Sequence, residues 1–419
     1  MNNKLWQSLA NSWKVPELRS KLLFTAAMIA IYRFGSYVPT PGIDIAALDE
    51  FFAKGGAGVV GFLDLFSGGA LGRVAVFALG IMPYITASII MQLLTVVIPK
   101  LEDLAKEGEQ GQKVITKYTR WLTVGLALVQ SIGYVFLFQQ YKALPDLNWW
   151  RGALIITTLV AGAVAVMWLG ELITARGIGN GMSIMIFISI VSRIPSGTSK
   201  LFTQSIVSIF LFLLLALAVV VAVIWITTGE RRVPVQYAKR VVGRRMMGGQ
   251  STFIPLKVNM AGVIPVIFAS SVMLIPATFS QFIDSSVTNW FQTAFSPSGF
   301  AYLVGEALLI VIFTYFYTAV TFNPIDQADN LKKYGGFVPG VRPGRPTAEF
   351  LDRILTRLTF VGALFLAAIA VLPWFLIRWM DVPFYFGGTS LLIVVGVALD
   401  TMRQMEAQLL MRHYEGFLK

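Results

Sequence analysis

Apolar stretches of about twenty residues, each long enough to cross about 30 Å of hydrocarbon as a helix, recur along almost the whole chain. Ten can be read, near 21–39, 74–98, 116–140, 152–174, 180–197, 203–228, 259–282, 300–322, 354–377 and 386–405; the fifth is the shortest. Hydrophobic residues make up 56% of the 419, and charged residues 13%, against the ~25% charged typical of soluble domains. One globular core of this size cannot hide so much apolar surface, whereas lipid can cover it. Inside lipid every backbone N–H and C=O needs an internal partner, which leaves helices as the economical solution. The pattern predicts an all-α membrane protein with ten transmembrane helices.

The connecting segments fix the orientation. Lys and Arg total 34 against 22 acids, a net charge of +12. In a soluble protein such an excess can point to nucleic acid. Here 26 of the basic residues fall on the side of the N-terminus, seven on the other, and Arg33 lies inside the first span. That asymmetry places both termini in the cytoplasm by the positive-inside rule. Residues 1–20, with Trp6 and Trp13 among polar neighbours, read as an interfacial amphipathic segment rather than a cleavable signal. Residues 406–419 form a cytoplasmic tail. Ten spans divide as 21–198 and 199–405. An odd number in each half turns the second over relative to the first, the arithmetic of an inverted repeat.

Several chemistries are excluded at once. The chain has no cysteine and a single histidine, His413. Thiolate metal sites, disulfides, histidine clusters and Ser-His-Asp triads are therefore unavailable. GIGNG at 177–181 follows an apolar span and lacks the G-x-G-x-x-G spacing, so it reads as a glycine-capped turn between helices, not a nucleotide loop.

The stretch from Gly55 to Gln92 is the most irregular. Val59 to Phe66 is an apolar run of eight residues between glycine clusters at 55, 56, 58 and at 68, 69. As a helix it rises about 12 Å, far short of the bilayer. Two readings are open: an interfacial helix packed on the outer face, or a movable half-helix in a pore mouth. Beyond it, Pro83 inside the 74–98 span predicts a kink. Thr86, Ser88 and Gln92 put polar groups where contact with another helix suits them better than lipid.

Six segments carry a resemblance to a known family. FALGIMPYITASIIMQLL (77–94) is similar to the signature of the SecY family of protein-translocation channels. FSGGALGR (66–73), WLGELITARGIGNGMS (168–183), PLKVNMAGVIPVIFASS (255–271), NPIDQADNLKKYGGFVPGVRPG (323–344) and FGGTSLLIVVGVALD (386–400) resemble further blocks of the same family, in the same order. The resemblance implies two inverted five-helix halves around an hourglass pore, with a re-entrant plug half-helix at about 59–70. A pore ring then falls on Ile81, Ile85, Met182, Ile186, Ile267 and Ile393. Ile81 and Ile85, like Met182 and Ile186, are four apart and share a helix face. Met182 stands where the family usually has isoleucine, a compliant apolar replacement.

Plug residues by the same resemblance are Gly61, Phe62, Leu63, Asp64, Leu65, Phe66, Ser67, Gly68 and Gly69. A lateral gate to lipid includes Thr86, Ser88, Gln92 and Ile275. The cytoplasmic loops 229–258 and 323–353 become a docking surface, with Arg231, Arg232, Lys239, Arg240, Arg244, Arg245, Lys332, Lys333, Arg342 and Arg345. Ile325 sits where some relatives have arginine and takes no role.

The implied function is passage of unfolded secretory polypeptides across the bacterial plasma membrane, with sideways release of membrane segments into lipid. The implied partners are small SecE-like and SecG-like membrane subunits, the SecA motor ATPase, and the ribosome through its RNA phosphates. No cofactor and no catalytic residue are implied, so energy comes from a partner. A secondary transporter with an inverted repeat is the alternative; it needs converging ionisable groups at mid-membrane, where this sequence offers only Arg33 and Glu306.

Overall fold

A computed structural model describes residues 15–43, 64, 66–140, 144, 148–195, 206–237, 240–242, 245–247, 251–279, 299–380 and 388–415. The described chain is predominantly helical. In order come α1 (Pro16–Gly35), α2 (Met82–Val97), α3 (Pro99–Lys106), α4 (Glu109–Gln140), α5 (Trp149–Arg176), α6 (Gly181–Val191) and α7 (Ile206–Thr228). The strands β1 (Glu230–Tyr237), β2 (Arg240–Val242), β3 (Arg245–Met247) and β4 (Ser251–Lys257) follow, then α8 (Ile264–Phe279), α9 (Phe300–Thr321) and α10 (Pro324–Lys333). The chain continues through β5 (Gly336–Phe337), α11 (Arg345–Met380) and α12 (Gly388–Glu415).

A described helix overlaps each expected apolar stretch, but length and hydropathy alone admit only four self-sufficient spans among the described residues. These are Trp149–Arg176, Ile209–Thr228, Phe300–Lys333 and Arg345–Leu372, with the bent pair α2–α3 as a fifth. The 180–197 stretch is cut short: α6 ends at Val191 after 11 residues, or about 16 Å at ~1.5 Å per residue.

Local chemistry sets several boundaries. Pro16 opens α1, Glu17 lies in its first turn and Arg33 in its last, each complementing the helix dipole. Asn148 caps α5 by accepting from the Trp149 N–H at 2.8 Å, and Asn180 caps α6 by accepting from the Met182 N–H at 3.0 Å. Asn323 does the same for α10 through Ile325 N–H at 3.0 Å, with Pro324 in the first turn. The GNG and NP motifs are thus helix starts.

Two expectations change here. The 74–98 span is helical only from Met82. Residues 67–81 run as successive turns, with Gly68, Gly69, Val74 and Gly80 at positive φ, a backbone region that ends helices. Pro83 therefore stands in the first turn of α2 and makes no mid-helix kink. The chain instead turns by 100° between α2 and α3, at Pro99. Asp64 and Phe66 have helical backbone; the rest of 59–65 and the amphipathic 1–14 lie outside the described residues.

The all-α expectation is also incomplete. The basic 229–258 loop folds into β1 and β4, paired antiparallel with Val233 opposite Ile254 and Val235 opposite Thr252. The short β5 joins β1 through Gln236–Phe337 and Tyr237–Gly336. Val233, Val235 and Leu256 turn inward onto Val338 and onto Leu351, Ile354 and Leu355 of α11. Pro234 is tolerated because β5 reaches only the last two residues of β1, leaving its other edge unpaired there. The two basic loops are thus one body with its own core.

Within the helical part the largest apolar core draws on α1, α2, α4 to α9, α11 and α12, and a smaller one gathers Leu18, Ile178 and Met405. The outside is apolar as well. Leu217 and Trp225 of α7, Trp121 of α4 and Trp168 of α5 are all largely exposed, an arrangement suited to lipid.

Candidate functional site

The predicted ring residues come from four helices, and all six belong to the one apolar core. Ile81 immediately precedes α2 and Ile85 lies one turn on; Met182 and Ile186 sit on α6, Ile267 on α8 and Ile393 on α12. Ile81, Ile186 and Ile393 are at most 1% exposed, Ile85 and Ile267 nearly so, and Met182 is half-buried. The four helices bearing them close a circuit only with α5, which carries no ring residue: α2 packs on α8, α8 on α12, α12 on α6, α6 on α5, and α5 back on α2. Where α5 meets α6 the backbones nearly touch. A Cβ on Gly181 would fall 1.8 Å from the Gly170 carbonyl oxygen, so only glycine fits there.

One face of this core is covered by the described residues of 64–80, whose polar groups are gripped from two elements. Arg33 of α1 donates through Nη1 to the Gly68 carbonyl and to Ser192 Oγ, each at 3.0 Å, and through Nη2 to the Tyr37 hydroxyl at 3.2 Å. Tyr32 donates to the Ser67 carbonyl at 3.3 Å and shares a 2.6 Å hydroxyl contact with Ser189. Ser192 also donates to the Gly68 carbonyl at 3.4 Å. Asp64, 4% exposed, forms an ion pair with Arg193 and accepts from the Gly72 N–H at 2.8 Å and from Ser67 Oγ at 3.2 Å. Phe66 and Leu71 anchor the same segment in the apolar core. Of the residues expected to form the plug, Asp64, Phe66, Ser67, Gly68 and Gly69 are therefore seen together, while Gly61, Phe62, Leu63 and Leu65 lie outside the described residues.

At the seam between α2 and α8, Thr86 is buried and Ser88 and Gln92 are half-buried. Ile275 is on α8, its side chain outside the described residues. The polar link found near the seam is one step further on: Ser270 of α8 donates to Glu306 of α9 at 3.3 Å, both buried. A second link, partly buried, had no sequence signal. Arg120 of α4 forms an ion pair with Glu171 of α5 at 2.8 Å, and the Tyr84 hydroxyl of α2 reaches Glu171 at 3.5 Å.

On the sheet-bearing body, Arg231, Arg232, Lys332, Lys333, Arg342 and Arg345 are exposed. Arg232 stacks over the Phe253 ring at 4.8 Å and pairs with Glu230 at 2.8 Å; Arg345 pairs with Glu349 at 3.3 Å. Arg240 and Arg245 lie in the β2–β3 ladder, where Val242 faces Arg245. Lys239 and Arg244 are outside the described residues. The β1–β5 pairing joins the two loops into one basic surface, which loop-by-loop reading of the sequence does not reveal.

The chain is similar to several known proteins. The family model for SecY matches residues 75–402. A protein translocase subunit SecY of Streptomyces scabiei is 48% identical over 434 aligned positions, covering 98% of this chain and 99% of the relative. A solved SecY structure, in which the plug domain stabilises the closed state of the translocation channel and maintains a membrane seal, superposes with a TM-score of 0.60 at 18% identity, covering 93% of this chain and 92% of that one. The channel in a canine Sec61 ribosome–channel complex from the endoplasmic reticulum superposes at 0.57 and 16% identity, with the same coverage.

Proposed function

The chain belongs to the SecY family, and on that premise we propose how its geometry conducts polypeptides. It is the channel subunit of a protein translocase and passes unfolded secretory chains through the centre of the helical bundle. What supports this reading is that Ile81, Ile85, Ile186, Ile267 and Ile393 are buried in one apolar core with Met182 packed against it, and that α2, α8, α12, α6 and α5 pack in a closed circuit. Aliphatic groups form no hydrogen bonds, so the waist does not select among passing side chains. A constriction of this kind sheds water and blocks ions at rest. A solute transporter would need ionisable groups at that point, and the six waist residues carry none.

In this reading the helices form two inverted halves of five, the segment about 59–70 is the plug, and the α2–α8 seam is the lateral gate. Interhelical polar contacts are worth only about 0.6–2 kcal/mol each, weak enough for an arriving hydrophobic signal helix to replace. The chain has no catalytic role. Its Arg- and Lys-bearing sheet and loops receive the ribosome or the SecA motor, which supply the energy, and small SecE-like and SecG-like subunits brace it in the bacterial plasma membrane with both termini in the cytoplasm. The test is reconstitution. Vesicles carrying the chain with its small subunits, given SecA, ATP and a secretory precursor, should protect that precursor from external protease. Protection no greater than in vesicles without the chain would overturn the proposal.

A further inference from the structure

The turn of α8 that carries Ile267 is bonded in an uncommon way. Ser270 Oγ lies 2.8 Å from the Val266 carbonyl oxygen and Ser271 Oγ 2.7 Å from the Ile267 carbonyl oxygen, each serine bonding back one turn along its own helix. Such bonds bend a helix. Ser270 has a second acceptor within reach, Glu306 Oε1 of α9 at 3.3 Å. A serine hydroxyl has one proton, so it serves one acceptor at a time, and the protonation of Glu306 decides which. We propose that Glu306 is a positioning residue for Ile267. As a carboxylic acid it donates to Ser270 Oγ, the Ser270 proton stays on the Val266 carbonyl, and α8 keeps the bend that closes the waist. As a carboxylate it accepts from the Ser270 hydroxyl, the back-bond to Val266 is lost, and α8 straightens. The carboxyl proton passes to water; Ser270 keeps its own proton and only turns it. This role rests on the channel reading above.

The surroundings make the proton matter. Glu306 is 6% exposed and Ser270 fully buried. The helices packed on α9 are α8 and α11. α8 has no titratable side chain from Ile264 to Phe279. The Tyr315 hydroxyl of α9 donates to the Thr356 carbonyl of α11 at 3.3 Å, and the chain turns back through α10 between the two helices. Glu306, nearer the start of α9, is therefore level with residues 358–371 of α11, which hold no titratable side chain either. Glu349, Asp352, Arg353 and Arg357 belong to the opposite end of α11, and the Arg378 side chain lies outside the described residues. On α9 itself, buried Tyr302 stands one turn before Glu306. With no described cation to offset it, a carboxylate here is costly and draws on the nearest hydroxyl, that of Ser270. α8 is braced on α9 to either side of this point. Phe268 meets Phe313 and Tyr317 edge-on at 5.9 and 6.3 Å, and a Cβ on Gly305 would lie 3.2 Å from Met273 Cε. A change in bend is thus taken up in the turn that carries Ile267.

The test reads resting ion conductance of the complete complex in planar lipid bilayers, with equal pH on both sides, from about pH 5 to about pH 9, a range that brackets buried glutamates in general. The unaltered complex should conduct about tenfold more at the alkaline end, the scale of one hydrogen bond exchanged. Glu306→Gln, whose amide donates to Ser270 as the acid does, should stay at the low, acid-end level throughout. Glu306→Asp keeps the ionisable group and should keep a pH response. Ser270→Ala removes the hydroxyl that is turned and should flatten the profile; it decides the question should the Glu306 variants fail to assemble. Side chains that merely pack would leave Glu306→Gln and Ser270→Ala with the pH profile of the unaltered complex. That result, or a flat profile in the unaltered complex, would overturn the role of Glu306 while leaving the channel reading intact. Failure of the unaltered complex to translocate a secretory precursor at neutral pH would instead overturn the channel reading.

Discussion

Replacing Gly181 by alanine puts one methyl group into a backbone contact that has no room for it. The new Cβ would lie 1.8 Å from the Gly170 carbonyl oxygen and 2.8 Å from Thr174 Oγ1. Contacts under 3.0 Å are essentially never seen for a real Cβ, so α6 must retreat from α5 by at least 1.2 Å. That retreat also stretches the 2.9 Å bond from the Gly181 N–H to Thr174 Oγ1 and moves Met182 and Ile186 with the helix. Overpacking of this kind costs about 1–3 kcal/mol. A waist closed by side chains at van der Waals contact loses its seal when one wall shifts by an ångström. The expected outcome is a less heat-stable complex with a raised resting conductance in planar bilayers. The control is Gly125→Ala, where nothing lies within 4 Å of the added Cβ; it should change neither. A Gly181→Ala channel as stable and as tight as the unaltered one would refute the account of how α6 is held against the waist.

Other perturbations have equally definite outcomes. Leu351→Ala removes a fully buried side chain beneath the β-sheet and should destabilise the sheet-bearing body by about 2–5 kcal/mol; proteolysis between 229 and 258 should quicken while waist crosslinks persist. Arg120→Ala strips the largely buried Glu171 of its ion pair, but Arg120 itself is half in solvent, so the cost should fall between the ~1 kcal/mol of an exposed pair and the ~3 kcal/mol of a buried one. It is read as a lower unfolding temperature, and adding Glu171→Gln should return part of it. Reversing Arg342 and Arg345 to glutamate should weaken binding to ribosomes and flatten its salt dependence, since each lost phosphate contact lowers the slope of log affinity against log salt by about 0.7–0.9.

The helical character was legible because apolar runs of bilayer length admit few alternatives, and the candidate waist was legible because its residues sit in blocks that resemble a family. Other features were hidden for identifiable reasons. Val233 and Val235 alternate as a strand should, but Pro234 between them and Pro255 in β4 argue against a sheet until the edge position of each proline is known. Pro83 reads equally as a kink or as a helix start; Gly80 at φ +57° decides it. The contacts around Asp64 and Gly68 were invisible for a different reason. Arg33 read as a charge inside a span, Arg193 as one of the few basic residues outside, and Asp64 as part of a half-helix. Only the fold brings these charges together, across a separation of more than a hundred residues. The Arg120–Glu171 pair was missed likewise, since neither residue stands out near the end of its span.

The chain contains no cysteine, so one installed at Ile393 is the only thiol it carries. Pairing it with a single cysteine in a secretory polypeptide stalled halfway through tests the central claim most directly. The account predicts a disulfide at Ile393, and likewise at Ile81 and Ile186, with none at Leu217 on the lipid-facing side of α7. Disulfides at Leu217 and none at the three waist positions would contradict it.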